Sequence, residues 1–213
     1  MELGLILIFW YGILHAFGPD HIVAIVDFSL GKSKVKTFLI TISFAIGHGL
    51  MLFVFAKVLQ EYTSIEEYLA YGDFISSFVI ITMGIYLIYL ANKRKIILEK
   101  HNHNGKEHLH LSFGQKHNHN DNNSTKSAFM IGSLMGIGGV RGMLITLSVM
   151  TASSVNFLMV IAFILGVSVV FISFGLIINY MNENILNSEK NIKRVFTTAG
   201  IASILVGANM ILG

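Results

Sequence analysis

The chain has no cysteine, a single proline and few charged residues, and each of these shortages argues against a class of site or fold. Without cysteine there are no disulfides or thiolate ligands, so metal chemistry would have to use histidine, carboxylate, methionine or backbone groups. One proline against 20 glycines favours long helices over the alternating strands of a β-barrel. Charged residues are only 13% of the 213, hydrophobic residues are 54%, and the mean hydropathy is +0.67. The composition therefore predicts an all-α polytopic membrane protein.

Six apolar runs are long enough to cross roughly 30 Å of hydrocarbon at about 1.5 Å per residue. They lie at 3–26, 36–59, 69–91, 127–152, 154–179 and 195–213. We treat residues 1–213 as a single transmembrane domain, with a loop at 92–126 between the third and fourth transmembrane helices. The first run lacks a basic segment before it, so we expect a retained helix and not a cleaved signal peptide.

The basic residues follow alternate spans. Thirteen of the fifteen lysines and arginines come after the first, third and fifth spans, whereas the other connections hold Lys57 with Glu61, Glu66 and Glu67. Positively charged loops stay in the cytoplasm. We therefore expect both termini outside a prokaryotic plasma membrane and the 92–126 loop inside the cell.

The two halves of the chain share a weak similarity. "SFAIGHGLMLFVF", which begins at Ser43, aligns with "AFILGVSVVFISF" of the fifth span and matches Phe44 with Phe163 and Gly47 with Gly166. The first and fourth spans also carry a central weak point each, "FGPDH" and "GIGGVRG". Interrupted helices in inverted repeats are common in secondary transporters. The sequence predicts a 3+3 inverted repeat with broken first and fourth helices, and chance similarity between apolar segments is the alternative.

A polar stretch, "HAFGPDH", which begins at His15, interrupts the first apolar run. In a continuous helix His15 and His21 would be separated by roughly 9 Å of rise and a rotation of about 240°, so they could not share an ion. Pro19 lacks the N–H that would bond the His15 carbonyl group, and Gly18 tolerates unusual dihedral angles, so we expect the helix to open here. The break would expose a free carbonyl group and place Asp20 in the first turn of a new helix. The pattern is typical of a half-helix ligand site.

The second span adds His48, near its centre and flanked by two glycines. His15 is also near the centre of its span, so both imidazoles are expected near the midplane, where small neighbours let another helix approach. Imidazoles with a carboxylate suit Ni²⁺, Co²⁺, Zn²⁺ or Mn²⁺ and are too nitrogen-rich for Mg²⁺ or Ca²⁺. The candidate metal ligands are His15, Asp20, His21 and His48. A lone membrane histidine is also a common interhelical hydrogen-bond partner, which is the alternative for His48.

Four further residues are candidates for gating or ion pairing: Arg141, Asp27, Ser43 and Met51. Arg141, in "GGVRGM", is the one intramembrane arginine of the predicted spans, and an unpaired guanidinium there would cost several kcal/mol. Asp20 is the nearest acid in depth, and Asp27 is the second. Arg141 would either compete with the metal for Asp20 and help the ion leave, or form a permanent salt bridge between the halves. Ser43 would line a path, and Met51 would supply a soft contact one turn after the histidine of its span.

Six of the nine histidines lie in the 92–126 loop: His101, His103, His108, His110, His117 and His119. They stand among Asn, Lys and Gly without an apolar face, a composition that predicts a disordered segment. Histidines two residues apart chelate Ni²⁺ or Zn²⁺ without a preformed fold, so the loop would receive, buffer or sense metal in the cytoplasm. The alternative is a solvated linker whose histidines are incidental.

On these residues the chain resembles the nickel/cobalt transporter superfamily, the NiCoT and NicO-type divalent metal permeases. "HAFGPDH" is similar to the superfamily's H-x4-D-H helix signature at His15, Asp20 and His21, and "SFAIGHG" is similar to its second-span segment at His48. The resemblance implies a metal(II) permease with these four residues as ligands or selectivity determinants. It covers the first two spans, and "GIGGVRG" stands where relatives carry acidic or proline–cysteine motifs.

The function expected from this pattern is a secondary permease that takes up Ni²⁺ and/or Co²⁺ as its halves expose the site alternately, driven by an inside-negative potential. Efflux of the same metals, or a metal-sensing or delivery subunit of a larger complex, is the alternative. No G-x4-G-K-[ST] or H-E-x-x-H motif occurs, so we expect neither ATP hydrolysis nor an enzyme. We expect the metal ion as transported substrate, no permanent cofactor, the lipid bilayer as surroundings and no nucleic acid; a homo-oligomer is compatible with the sequence.

Overall fold

A computed structural model of the chain describes residues 2–61, 66–93, 96–103, 106–113, 122–138 and 157–212. Within these ranges it forms seven helices and two strands. The helices are α1 (Glu2–Ala16), α2 (Pro19–Ser29), α3 (Lys34–Glu61), α4 (Glu66–Lys93), α5 (Asn122–Gly138), α6 (Phe157–Asn184) and α7 (Glu189–Leu212). The strands are β1 (Ile96–His103) and β2 (Lys106–Phe113).

Helices of membrane-spanning length dominate the described structure. Four segments are long and apolar enough to cross a bilayer: Lys34–Val58, Phe74–Asn92, Phe157–Asn184 and Glu189–Leu212. A fifth is reached if α1 and α2 are counted together as one bent span. The prediction of a helical membrane protein is confirmed at this level, and the chain is suited to a membrane location.

The outer surface of the bundle is apolar. Large side chains such as Leu14, Phe78, Tyr180 and Leu205 are between 64% and 70% exposed. In each of the four single-helix spans, less than half of the apolar segment is buried inside the protein. Continuous apolar surface of this kind is unfavourable in water and is covered by lipid tails in a membrane.

Most predicted spans coincide with observed helices. The second, third, fifth and sixth apolar runs correspond to α3, α4, α6 and α7, and the first corresponds to α1 with α2. The fourth predicted span, 127–152, begins within α5, which ends at Gly138, and its remainder lies outside the described residues. The count of six spans therefore stays a prediction.

The first span is broken where the sequence predicts a break. α1 ends at Ala16, α2 begins at Pro19, and the two helices are bent by 66°. Proline fits the first turn of a helix because an N–H there has no intrahelical partner. The prediction of a free carbonyl group at the break is wrong for His15, because its carbonyl oxygen accepts from the Gly18 N–H at 2.9 Å. The backbone thus turns at the break while keeping this hydrogen bond.

The structure differs from the sequence expectation in the 92–126 loop. In place of a disordered segment it has β1 and β2, an antiparallel pair whose register runs from Ile96 opposite Phe113 to His103 opposite Lys106. The Asn-Gly dipeptide at 104–105 is a strong sequence signal for a hairpin. This local signal and the aliphatic residues around it favour strand pairing, whereas the disorder prediction weighed only the polar composition.

The helices pack closely through glycines that face a neighbouring backbone. A β-carbon on Gly12 would lie 2.5 Å from the carbonyl oxygen of Phe163, and one on Gly166 would clash with the carbonyl oxygen of Phe9. These contacts join α1 to α6, and the same reciprocal relation joins α3 to α5: Gly47 faces the backbone of Phe129, and Gly132 faces the backbone of Phe44. Small residues that let helix backbones approach are a usual feature of membrane interfaces.

The turn between α2 and α3 is fastened to α6. The Asn182 side chain donates to the carbonyl oxygens of Ser29 at 2.8 Å and Lys32 at 3.0 Å, and it accepts from the Gly31 N–H at 2.9 Å. Gly31 has φ of 72°, which favours glycine. One amide therefore satisfies three backbone groups and fixes the far end of the half-helix that starts at Pro19.

Candidate metal centre

Three imidazole rings meet where α1, α2 and α3 approach one another. The Nε2 atoms of His15 and His48 are 3.1 Å apart, and those of His21 and His48 are 3.3 Å apart. The candidate ligand atoms of all three histidines lie within 4.8 Å of one another. We call His15, His21 and His48 the histidine cluster; in the part of the chain that the structure describes, it is the one group of three or more His or acidic residues with this spacing.

The break in the first span brings the cluster together. His15 is in the last turn of α1, and His21 is in the first turns of α2, just past the bend. Their ring centroids are 4.6 Å apart, although a continuous helix would separate the residues by roughly 9 Å of rise. His48 lies in the middle of α3 and reaches both rings. The spatial arrangement that the sequence predicts for these three side chains is the one observed.

The nitrogen spacing fits one transition-metal ion. Metal–nitrogen bonds of about 2.0–2.1 Å in tetrahedral geometry put neighbouring nitrogens roughly 3.3 Å apart. The two distances involving His48 Nε2, 3.1 and 3.3 Å, are close to that value. Three ring nitrogens that face each other can be satisfied by a shared proton or by a cation. A trigonal set of imidazoles leaves a fourth position for water or another ligand, as in open metal sites.

Asp20 contacts the cluster through His21. Its Oδ1 atom accepts from Nδ1–H of His21 at 2.8 Å. A proton held on Nδ1 leaves the lone pair on Nε2, which is the atom that faces His48. The sequence predicts Asp20 as a metal ligand; in the structure its closest partner is the outer nitrogen of a candidate ligand, a position that orients the ring and raises its basicity.

Gly18 makes room for this pair of side chains. A β-carbon there would lie 2.5 Å from Oδ1 of Asp20 and 2.9 Å from Nδ1 of His21. The residue has φ of −53° and ψ of 133°, which any residue can adopt. Gly18 is therefore required for space and not for its backbone conformation. From the sequence, Gly18 is explained only by its tolerance of unusual dihedral angles, and this contact is not predicted.

Buried aromatic rings enclose the cluster. Phe163 has its ring centroid 5.5 Å from that of His15 and 6.2 Å from that of His48, and Phe44 stacks on His48 at 6.1 Å. Phe171 stacks on His21 at 6.0 Å. All three phenylalanines are at most 1% exposed. These rings are not singled out in the sequence analysis; the alignment of Phe44 with Phe163 is a signal for two of them, and Phe171 has no such signal.

The other intramembrane candidates lie in different places. Asp27 is on α2 and contacts Ser203 of α7, with 2.8 Å between Oδ2 and Oγ. Ser43 and Met51 are half-buried on α3, one on either side of the cluster histidine of that helix. Arg141 lies outside the described residues, so its predicted pairing with Asp20 or Asp27 stays a prediction.

The loop histidines fall partly on the hairpin. His101 and His103 are on β1, and His108 and His110 are on β2, in a register that sets His101 opposite His108. His117 and His119 lie outside the described residues. The predicted metal-handling role of these six histidines is untested by the structure.

The chemistry available at the cluster is the binding of a small cation. Three imidazole nitrogens, with one carboxylate that orients a ring and buried aromatic rings beside them, are a donor set suited to a transition-metal ion. Comparison with protein-family models, with curated proteins and with solved structures finds no match for this chain.

Proposed function

We propose that this protein is a secondary permease that moves Ni²⁺ and/or Co²⁺ across the plasma membrane, in the direction of uptake, through the histidine cluster. The observation that carries the proposal is the meeting of three Nε2 atoms at a helix break inside a bundle of membrane helices. Ionisable groups at membrane depth are costly and are usually retained for ion pathways. Imidazole ligands favour late first-row metals over Mg²⁺ and Ca²⁺.

The choice of nickel and cobalt rests on the donor set and on the resemblance to the NiCoT and NicO-type permeases. All three candidate ligands are nitrogen donors, and the sequence has no cysteine that would favour Zn²⁺ or Cu⁺ through sulfur. The H-x4-D-H signature supplies two of the nitrogens and the carboxylate that orients one of them. The metal ion is the substrate of the proposed reaction and not a resident cofactor.

Transport requires a way to open the site to either side, and the reciprocal glycine contacts support one. If α1 is matched with α5 and α3 with α6, the α1–α6 contact at Gly12 and Gly166 corresponds to the α5–α3 contact at Gly132 and Gly47. Matching α4 with α7 leaves their mutual contact unchanged, since Gly84 faces the backbone of Gly200 and Gly200 faces that of Gly84. An inverted 3+3 repeat has this symmetry and would let the halves rock about the site.

The decisive experiment is uptake of radioactive nickel and cobalt into proteoliposomes with an inside-negative potential. We expect saturable uptake by the native chain and none by His48→Ala, which removes the ligand shared by both close nitrogen pairs. His108→Ala makes the same chemical change outside the cluster and is the matched control, expected to keep most of the uptake. Absence of uptake by the native chain, or equal loss in both variants, would contradict the proposal.

The orientation of the protein in the membrane can be tested with single introduced cysteines, because the natural sequence has none. Asn187 is exposed in the connection between α6 and α7, and Leu212 is exposed at the end of α7. We expect Asn187→Cys to react with an impermeant maleimide only after the cytoplasmic face is opened, and Leu212→Cys to react in intact cells, because basic connections remain inside. The opposite labelling pattern would invert the proposed topology.

A further inference from the structure

A second polar site lies in the bundle away from the histidine cluster. Asp27 is on α2, six residues after His21, and this separation corresponds to roughly 9 Å along the helix. Its Oδ2 atom is 2.8 Å from Oγ of Ser203, a fully buried residue of α7. Its Oδ1 atom is buried and has no hydrogen-bond partner among the described residues. Within that part of the chain, the carboxyl group therefore has Ser203 as its hydrogen-bond partner.

The contacts of Ser203 indicate a proton on Asp27. Oγ of Ser203 is 2.8 Å from Oδ2 of Asp27 and 2.9 Å from the carbonyl oxygen of Ala199. A hydroxyl group has one proton, and a carbonyl oxygen only accepts. If Asp27 is ionised, Ser203 must share its one proton between the two acceptors in a weaker bifurcated bond, whereas a protonated Asp27 donates to Ser203 and leaves the Ser203 proton for Ala199. The heavy-atom positions thus fit the neutral acid better than the carboxylate.

The surroundings of Asp27 also favour the neutral acid. An ionised carboxylate with one oxygen lacking any donor is costly at membrane depth. No cation of the described residues pairs with it. The Asp, Glu, Lys and Arg residues of α3, α4, α6 and α7, the helices that pack on α2, lie mainly toward the helix ends: Lys34, Lys36, Lys57, Glu61, Glu66, Glu67, Asp73, Lys93, Glu183, Glu189, Lys190, Lys193 and Arg194. The tyrosines of these helices are Tyr68, Tyr71, Tyr86, Tyr89 and Tyr180, which are neutral near pH 7. His48 belongs to the histidine cluster, and Glu183 accepts from Asn179 instead.

We propose that Asp27 and Ser203 form a proton-binding site through which metal transport is coupled to counter-transport of a proton. The inference rests on the proposed function. The step is a proton transfer: the O–H bond of the Asp27 carboxyl group breaks, the proton passes to water on the side to which the bundle is open, and the bond forms again when the empty protein faces the other side. No redox partner is needed.

The coupling follows from the placement of the two sites on one half-helix. A divalent cation at His21 lies at the start of α2 and favours a negative charge at Asp27 two turns further along. Metal binding then promotes loss of the proton, and by reciprocity the proton weakens metal binding. The empty protein carries the proton back, so that each cation that crosses in one direction is exchanged for about one proton in the other.

Asp27→Asn is the most informative substitution because an amide imitates the neutral carboxyl group in shape and cannot release a proton. In proteoliposomes with a pH-sensitive dye inside, we expect native protein to export about one proton per metal ion taken up. The variant is expected to bind metal and exchange it across the membrane, with no accompanying proton flux. Glu183→Gln is the matched control, since it neutralises another acid of the bundle and should leave the proton flux unchanged.

A second measurement does not depend on transport. Infrared difference spectra of metal-free native protein against Asp27→Asn should show the carbonyl stretch of a protonated carboxylic acid at neutral pH. Ser203→Ala removes the hydrogen bond between Ser203 and Asp27 and should shift the pH midpoint of that band upward, because the carboxylate loses more stabilisation than the neutral acid does.

The two proposals fail in different ways. Proton flux that persists in Asp27→Asn, or a native infrared spectrum without the acid band, overturns the proton site whether or not metal is carried. Absence of native metal uptake together with a clear acid band overturns the proposed transport, and with it the coupling, while supporting proton binding at Asp27.

Discussion

Replacing Gly18 with alanine tests whether the helix break orients the histidine cluster. The new β-carbon would lie 2.5 Å from Oδ1 of Asp20, 2.9 Å from Nδ1 of His21 and 3.2 Å from the carbonyl oxygen of His15. Comfortable contacts lie at about 3.5 Å or beyond, so Oδ1 must retreat by about 1 Å. That movement breaks the 2.8 Å hydrogen bond from His21 to Asp20. The backbone angles at Gly18 suit alanine, so the effect comes from these steric contacts and not from backbone strain.

The expected consequence is a loss of metal affinity with only moderate loss of stability. Removing the outer partner of a metal-binding histidine typically costs about 10–100-fold in affinity. Overpacking of this kind typically destabilises a protein by about 1–3 kcal/mol. Titration of purified protein with Co²⁺, followed by its ligand-field absorption and by calorimetry, measures the metal affinity. Thermal unfolding of the metal-free protein measures the loss of stability.

Gly200→Ala is the control for a general packing effect. Its β-carbon would lie 2.6 Å from the carbonyl oxygen of Gly84, at the contact of α4 with α7, so a clash of similar size occurs without touching a cluster residue. We expect a lower unfolding temperature and unchanged Co²⁺ affinity. The reasoning is refuted if Gly18→Ala binds Co²⁺ as tightly as the native protein, or if both variants lose affinity equally.

Three further results are expected. Asn182→Ala removes the side-chain partner of the Gly31 N–H and the Lys32 carbonyl group, while the Ser29 carbonyl group keeps its bond from the Lys32 N–H; denaturation should show a loss of about 1–3 kcal/mol, and no loss would mean that the turn is held by other contacts. Burial lowers the pKa of Lys32, so the unfolded chain binds the proton more tightly and the free energy of unfolding should rise with pH in the alkaline range; Lys32→Met should reduce that slope and stabilise the protein at neutral pH. Co²⁺ affinity of the native protein should fall on acidification because protons compete for the imidazole nitrogens, and a pH-independent affinity would argue against histidine ligands.

Much of the fold is readable from the sequence because a bilayer imposes a simple rule on it. Backbone polar groups cannot be satisfied by lipid, so long apolar runs must be helices, and α3, α4, α6 and α7 fall where such runs occur. The break at Pro19 was equally readable, since proline ends a helix by a local steric effect. The strands β1 and β2 were not predicted because the loop was judged by its overall composition, which does not register a local signal such as the Asn-Gly dipeptide.

The histidine cluster was predictable in its members and less so in its geometry. Placing His15, His21 and His48 together required only the spacing of polar residues and one helix break. The position of Asp20 behind His21, and the need for space at Gly18, depend on side-chain directions after a bend of 66°, which the sequence does not specify. Contacts between distant segments, such as Asp27 with Ser203, have no local sequence signal at all.

The proposed repeat has a consequence for the number of ions bound. The reciprocal contacts match Gly12 with Gly132 and Gly47 with Gly166, and the same spacing along the chain sets His15 against Met135, His21 against Arg141 and His48 against Val167. Met135 and Val167 are buried, and neither offers nitrogen. In the proposed repeat, the second half would thus keep the framework of the first without its ligands, with an arginine at the position of one of them. Such a bundle would hold one metal ion per chain, placed off the axis in the first half, and the second half would serve as the wall that closes over it.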